Sequence, residues 1–308
     1  MNNEMFIALI AMIYVVTGGL KASVWADLVQ GSALILGGAL LMYFAFARLG
    51  DVSEAAAVVD VATGEVVVKS LDPEQNAYER FMDLNANRLN MFLPKDDTDL
   101  PWTALLLGLW IPNFYYWGLN QYITQRTLGS SSLAEGQRGI VFAAFLKLLI
   151  PFVVVIPGII AFNVFHRQMQ LDARSDAATS MALYLSANEN TEFVETYDSP
   201  DAEFVASHEG PKYVIAIYPD QNSLNEVEAA NPFVLPMTQA AYQQIAPAEY
   251  QLFSAKEDHA WKYVNRELAE EIESYNKATE AAAEEAGAAT SSQALIAYKY
   301  DSALGNLL

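Results

Sequence analysis

The sequence contains no cysteine and only three histidines among its 308 residues. The absence of cysteine excludes disulfide bonds, cysteine-based metal sites and thiol catalysis. The histidines are far apart and share no ligand spacing with one another or with a pair of glutamates, so no metal site is predicted. Phosphate loops, nucleophile elbows and dinucleotide-binding fingerprints are also missing. We therefore expect neither an enzyme nor an organic cofactor.

Positive charge is scarce as well, because 17 lysines and arginines stand against 37 aspartates and glutamates, for a net charge of −20. Residues 163–308 alone carry −15 of that charge. A nucleic-acid partner requires a basic face, so the composition argues against one. The less charged half contains the long apolar runs, and the chain therefore combines membrane-like with water-soluble sequence.

Three apolar runs are long enough to cross a lipid bilayer as helices, which takes about 20 residues. They are residues 28–47, 102–123 and 139–162. The shorter run at 5–17 follows an acidic residue, which does not suit a signal peptide. We interpret it as the end of a transmembrane helix, closed by a loop that starts at Gly18-Gly19. Ala33 and Gly37 are four residues apart and could let another helix approach closely, although glycine is common in membrane helices anyway.

These runs predict a membrane protein in four segments. Residues 1–48 hold the end of one transmembrane helix, a cytoplasmic loop and a full transmembrane helix, and residues 49–100 form an extracytoplasmic loop. Residues 101–162 hold two transmembrane helices joined by a short cytoplasmic loop, and residues 163–308 form an acidic extracytoplasmic region. The orientation follows from the basic excess of the two short loops, which favours the cytoplasmic side.

Local patterns predict structure in the polar segments. The stretch TGEVVVKSLD alternates like a hairpin strand, and KYVIAIY at 212–218 also predicts a strand. Residues 260–286 carry an apolar stripe at helical spacing on an otherwise acidic helix.

A polar and aromatic stripe lies inside the run 102–123. Asn113, Tyr116, Trp117 and Asn120 are spaced as neighbours on one helical face. Polar groups in a bilayer need partners, and an amide beside aromatic rings suits a polyhydroxylated ligand. Pro112 interrupts the backbone hydrogen bonds at this level, as in the broken helices of transporters. The alternative is an interfacial aromatic belt with amides that join helices.

Two charged residues accompany the apolar runs. Lys147 lies eight residues into its run, about 12 Å from Gly139 at 1.5 Å per residue. An intramembrane lysine indicates a functional site, unless its side chain extends to the inner interface. Asp27 begins the run at 28–47, where it could cap a helix or lie on a cation path.

Three stretches of the sequence carry a family resemblance. They are the motif Tyr14-Val15-x-x-Gly18-Gly19-Leu20-x-Ala22 and the runs LWIPNFYYWGLNQYITQRTLG and GQRGIVFAAFLKLLIPFVVVIPGIIAF. All three closely resemble the sodium/solute symporter family, in its sodium–glucose cotransporter branch. The resemblance covers residues 8–48 and 98–162. It implies an all-α membrane protein, a fragment of the five-plus-five inverted-repeat transporter fold. The fragment would span the fifth to seventh core helices and carry a long acidic extracytoplasmic segment, α-rich or α+β.

The resemblance also implies site residues and partners. Asn113 and Lys147 match residues that contact the sugar, Tyr116 matches the inner gate and Trp117 its neighbour. Asp27 matches a carboxylate implicated in sodium exit. Na⁺ would be the coupling ion, in a multi-pass protein of the plasma (inner) membrane. By this resemblance, the helices that hold the family's main sodium site would lie outside this chain.

The resemblance and these residues together predict a fragment of a sodium-coupled importer of a sugar that works by alternating access. One alternative is a sodium symporter for another solute, such as inositol or sialic acid. Another, from a different class, is a membrane-anchored extracytoplasmic binding module. An anchor would not need Asn113, Lys147 and Pro112 at mid-membrane.

Overall fold

The computed structural model describes residues 3–60, 65–89, 92–93, 95, 101–227, 231–254 and 264–307. They form two compact units. The helical unit comprises Met1–Arg48 and Leu89–Ile160, and the α+β unit comprises Leu49–Arg88 and Ala161–Leu308.

The chain begins with a long helix, α1 (Asn3–Asp51), which contains a single non-helical residue, Gly19, at φ 54° and ψ −146°. The sequence predicted a loop here. Glycine adopts a positive φ at no steric cost, so one residue bends the chain and the helix continues on both sides. Asp27 therefore lies within the helix and does not cap one.

The run at 102–123 is not one continuous α-helix. It consists of a π-helical turn (Ala104–Gly108), α3 (Trp110–Phe114), a second π-helical turn (Tyr115–Leu119) and α4 (Gln121–Leu128). The wide hydrogen bonds of the π turns join Leu109 N to Ala104 O at 3.0 Å and Asn120 N to Tyr115 O at 2.9 Å. Asn120 then adopts an extended conformation, with ψ 118°, and separates the second π turn from α4.

The remaining helices of this part follow a short loop. Ser132 caps α5 (Leu133–Lys147) by accepting a hydrogen bond from Glu135 N at 3.3 Å. A third π turn (Pro151–Val155) precedes α6 (Ile156–Ala187).

Two stretches of the described helices, Val15–Asp51 and Leu133–Ala187, are long and apolar enough to cross a membrane.

Within the helical unit, α1 approaches the third π turn closely at Gly38. A side chain there would place its Cβ 2.5 Å from Val153 O, so only glycine fits. The small residue at the contact is thus Gly38 and not Gly37, where an added Cβ would meet no described atom within 4 Å.

The described residues of the α+β unit form three small sheets. β1 (Glu54–Asp60) and β2 (Glu65–Ser70) form the antiparallel hairpin that the sequence predicted, followed by α2 (Ala77–Asn85). β3 (Val194–Asp198), β4 (Tyr213–Tyr218) and β5 (Val234–Thr238) form a parallel sheet in that order, and β6 (Gln251–Ser254) pairs in parallel with β7 (Ser291–Ala294).

The short helices α7 (Ala202–Ser207), α8 (Gln221–Glu226) and α9 (Gln239–Tyr242) follow β3, β4 and β5. The long helix α10 (Arg266–Ala286) lies between β6 and β7 in the chain, and the short helix α11 (Ala303–Leu307) follows β7. The predicted strand at 212–218 is present as β4. The predicted helix at 260–286 is present as α10, and its expected start at 260–263 lies outside the described residues.

The core of this unit lies around β4, whose six residues are all buried. A strand in the middle of a parallel sheet is covered on both faces, which explains its continuous apolar sequence. The Leu268 and Ile272 side chains of α10 are fully buried against this core, as the apolar stripe of the helix predicts.

Arg80 of α2 is buried, with 5 % of its surface exposed, and binds backbone carbonyls. Nη1 donates to Leu49 O (3.1 Å), Gly50 O (2.8 Å) and Val52 O (2.9 Å), and Nη2 donates to Asp72 O (3.0 Å). The first two acceptors are among the last carbonyls of α1, which have no partner within the helix. A cation at a helix C-terminus also complements the helix dipole.

Candidate functional site

The helical unit contains a cavity of about 400 Å³. The second π turn, α4, α5 and the loop between these helices form its walls. The described lining residues that can bind a polar ligand are Tyr116, Trp117, Tyr122, Arg126, Thr127, Ser130, Glu135 and Lys147. The cavity therefore combines aromatic faces with hydrogen-bond donors and one carboxylate. Tyr116, Trp117 and Lys147 were predicted as site residues.

Lys147 is the last residue of α5, and its ammonium group lies over aromatic rings. Nζ is 3.7 Å from the centroid of the Tyr116 ring and 5.0 Å from that of Trp117. The two rings meet edge to face, with their centroids 5.5 Å apart. Such rings stabilise a cation in a poorly solvated place by about 0.5–2 kcal/mol. The interaction explains how a lysine is accommodated inside an apolar run, and the ammonium N–H groups can still donate to a ligand.

The other members of the predicted stripe lie elsewhere. The described residues that line the cavity do not include Asn113, whose Nδ2 donates to Leu109 O one turn earlier at 2.8 Å. Asn120 caps α4, where its Oδ1 accepts from Tyr122 N at 2.9 Å. The prediction of a single face assumed continuous α-helical geometry. The second π turn and the extended residue Asn120 break that geometry between Trp117 and Asn120. Of the four residues of the stripe, Tyr116 and Trp117 line the cavity.

Asp27 of α1 forms a short, partly buried ion pair with Arg126 of α4. Arg126 Nη1 also donates to Tyr122 O at 2.9 Å, and its guanidinium carbon lies 3.5 Å from the centroid of the Tyr122 ring. Since Arg126 lines the cavity as well, Asp27 is connected to the cavity through one side chain.

Sequence reasoning did not select Arg126. The residue was counted only as a basic charge of a short loop, whereas it lies 99 residues from its carboxylate partner. The available signal was a lone carboxylate, Asp27, between two apolar runs, because a charge in that setting needs a partner of opposite sign.

The comparisons with known proteins identify the family of the chain. The sequence model of the sodium:solute symporter family matches residues 4–185. A sodium/glucose cotransporter from Vibrio parahaemolyticus is 40 % identical over 176 residues, which are 56 % of this chain and 29 % of that protein. The uncharacterized symporter YidK of Escherichia coli is 35 % identical over 160 residues, or 52 % and 24 % of the two proteins.

A human sodium/myo-inositol cotransporter 2 is 31 % identical over 163 residues, which are 52 % of this chain and 22 % of that protein. The chain spans less than a third of the length of these curated relatives. No solved structure matches. Because the family model covers more than half of the chain, the chain belongs to the sodium:solute symporter family, whose members are membrane transporters and not enzymes.

Proposed function

We propose that the chain is part of a sodium-coupled secondary transporter that imports a sugar or a sugar-like polyol across the plasma (inner) membrane by alternating access. Family membership and the glucose and myo-inositol cotransporters among the relatives support this proposal. The observation that carries it is the ammonium group of Lys147 over the rings of Tyr116 and Trp117, inside a cavity of the helical unit.

The cavity has the chemistry that a polyhydroxylated solute requires. The C–H face of a pyranose or cyclitol stacks on an aromatic ring, and the Lys147 ammonium group offers three donors to hydroxyl groups. The hydroxyls of Thr127 and Ser130 add further hydrogen-bonding groups. A volume of about 400 Å³ lies within the range of small-molecule sites, about 300–1,000 Å³.

Asn113 joins this site when its amide exchanges the Leu109 carbonyl for a solute hydroxyl. The exchange replaces one hydrogen bond by another, so its free-energy cost is small. Asp27 lies on the sodium path. The guanidinium group of Arg126 pairs with the Asp27 carboxylate until a sodium ion replaces it. Sodium then favours the outward-open state that binds the solute, because a ligand shifts an equilibrium by its differential affinity.

In this proposal the chain crosses the bilayer several times, and residues 49–100 and 163–308 lie outside the cytoplasm. Basic charge in the two short segments between the apolar runs, at 18–26 and 124–138, supports this orientation. Parts of the two outer segments, Leu49–Arg88 and Ala161–Leu308, belong to one compact unit, which supports placing both on the same side.

The test is uptake into proteoliposomes that contain the chain completed with the helices that the resemblance assigns to the main sodium site, with an inward sodium gradient and labelled D-glucose, D-galactose, myo-inositol or sialic acid. We expect sodium-dependent uptake of at least one neutral solute. Tyr116→Ala removes the stacking face and should reduce apparent affinity at least tenfold, whereas Tyr116→Phe keeps the ring and should cost less. Lys147→Met keeps the apolar stem and removes the donors, so it should also weaken binding.

Tyr115→Ala is the matched control, because this neighbouring tyrosine of the same π turn is 60 % exposed and is not among the described residues that line the cavity. Equal losses in Tyr115→Ala and Tyr116→Ala would assign both rings to an aromatic belt. Uptake of sialic acid alone would replace the neutral solute by an acidic one. Solute uptake that does not respond to sodium would contradict the proposed coupling.

A further inference from the structure

The segment that follows α1 contacts the ends of two helices. It comprises residues 52–88, described at 52–60 and 65–88, and includes the hairpin β1–β2 and α2. The last residues of α1 and the α6 residues from Ala161 onwards belong with it to the α+β unit. We call this segment the clasp.

Arg80 of the clasp binds the end of α1. Its guanidinium group donates to the carbonyl groups of Leu49 and Gly50 at 3.1 and 2.8 Å. The same group donates to two carbonyl groups of the clasp itself, Val52 O at 2.9 Å and Asp72 O at 3.0 Å. One buried side chain therefore joins the last turn of α1 to the chain on both sides of the hairpin.

An amide pair joins the clasp to α6. Asn85 of α2 and Asn163 of α6 are both buried, with 0 % of their surface exposed. Nδ2 of Asn85 donates to Oδ1 of Asn163 at 2.9 Å, and Nδ2 of Asn163 donates to Oδ1 of Asn85 at 3.2 Å. The second N–H group of each amide donates to a backbone carbonyl, Phe81 O in α2 at 2.9 Å and Ala56 O in β1 at 2.7 Å. All four amide N–H groups thus have acceptors.

The amide pair provides direction, which an apolar contact does not. Buried amides are costly unless they are hydrogen-bonded, and two apolar side chains could occupy the same space at little cost. The reciprocal hydrogen bonds form in one relative arrangement of α2 and α6, because a fully satisfied buried polar network specifies a unique packing. Nearby, the guanidinium carbon of Arg88 lies 5.4 Å from the centroid of the Phe162 ring. The clasp is therefore fixed in place on α6.

The two helices that the clasp joins carry different residues of the candidate site. α1 contains Asp27, and the helical stretch Leu133–Ala187, which ends in α6, contains Lys147. Within the helical unit, the same two stretches contact each other at Gly38 and Val153. A displacement of α6 relative to the end of α1 would have to break the hydrogen bonds of the clasp.

We propose that the clasp makes α1 and α6 move as one body in the transport cycle, with Arg80, Asn85 and Asn163 as its positioning residues. Motion of the helix that carries Asp27 is then passed to α6, which continues the stretch that carries Lys147. The inference rests on the proposed transport function for this cycle, whereas the attachment of the two helix ends can be measured without transport.

Double electron–electron resonance between two spin labels measures this attachment. In the cysteine-free chain, Asp51→Cys and Gln168→Cys provide labelling sites at exposed positions of α1 and α6. We expect one narrow distance distribution in the purified full chain. In the completed chain of the uptake test, the mean distance should stay the same with and without sodium and D-glucose. Asn163→Ala should widen the distribution about twofold, because the remaining amide no longer specifies one arrangement.

A double variant and a control separate positioning from stability. Asn85→Leu combined with Asn163→Leu replaces both amides by apolar groups, which can leave folding intact. With unchanged near-ultraviolet circular dichroism, this variant should still widen the distribution. Asn87→Ala is the matched control, because this exposed asparagine of the clasp donates to Val59 O at 2.6 Å, and it should leave the distribution unchanged.

The two arms of the experiment decide the inference separately from transport. The proposal is overturned if sodium or D-glucose changes the mean distance, or if neither the alanine nor the leucine variant widens the distribution more than Asn87→Ala does. A constant distance in a completed chain that takes up no solute would support the clasp and contradict the proposed function.

Discussion

Replacement of Arg80 by leucine should destabilise the α+β unit by about 2.5–4.5 kcal/mol. The bond to the Leu49 carbonyl is fully buried, whereas the bonds to the Gly50, Val52 and Asp72 carbonyls are partly exposed. An acceptor left buried without a partner costs about 1–3 kcal/mol. The three others can exchange the guanidinium for water and should lose about 0.5 kcal/mol each, near the lower limit for a net hydrogen bond. Because leucine is apolar, the replacement leaves no unpaired buried charge, so no further cost is added to this total.

The measurement is urea-induced unfolding of the purified chain, followed by the near-ultraviolet circular dichroism of its buried tyrosines. Arg80→Lys should lose about half as much as Arg80→Leu, because an ammonium group has fewer donors than a guanidinium group. Arg266→Leu is the control, since its exposed pair with Glu270 should contribute less than about 0.5 kcal/mol. If Arg80→Leu and Arg266→Leu lower the free energy of unfolding equally, the carbonyl-binding role of Arg80 is refuted.

Three further predictions concern a buried phenol, an ion pair and the orientation of the chain in the membrane. Burial raises the pKa of the Tyr213 phenol well above its ordinary value near 10, so the contribution of this phenol to folding stability is complete below pH 10 and falls as the pH rises towards the folded-state pKa. Tyr213→Phe should therefore reduce the loss of stability at alkaline pH by up to about 1.4 kcal/mol per pH unit. Urea unfolding at several pH values measures this slope, and an unchanged slope would contradict the prediction. A double-mutant cycle with Asp27→Asn and Arg126→Gln should give a coupling of about 0.5–2 kcal/mol in thermal unfolding, and additive losses would deny that the pair matters. In this cysteine-free chain, Ser291→Cys should react with an impermeant maleimide in intact cells, and labelling only after lysis would reverse the proposed orientation.

The sequence predicted elements whose signal is local. The apolar runs at 28–47 and 139–162 predicted the two long helical stretches, whereas the run at 102–123 is broken into short elements. Alternation predicted the hairpin β1–β2, and the apolar run at 212–218 predicted β4. Each of these signals depends on residues close together in the chain.

Other elements left no such signal. β3 reads VETYD, and its four residues after Val194 are exposed, so no apolar alternation marks it as a strand. The pairing of Asp27 with Arg126 and the contact of Gly38 with Val153 join residues that are far apart in sequence, and neither composition nor spacing encodes those partners. The candidate site was only partly predictable, again because its geometry is not local. The aromatic and charged residue types at Tyr116, Trp117 and Lys147 stood out inside apolar runs, whereas the placement of Asn113 on their face assumed regular helical geometry.

The three π turns also bear on how the chain can vary among its relatives. A π turn accommodates one residue more than an α turn in the same length of helix. Elsewhere in a helix, deletion of one residue rotates everything that follows by about 100° and misaligns its packing face. Within Ala104–Gly108, Tyr115–Leu119 or Pro151–Val155, the loss of one residue can instead convert the turn to α-helix and preserve the register beyond it. Single-residue gaps in alignments of these helices should therefore concentrate at the three turns.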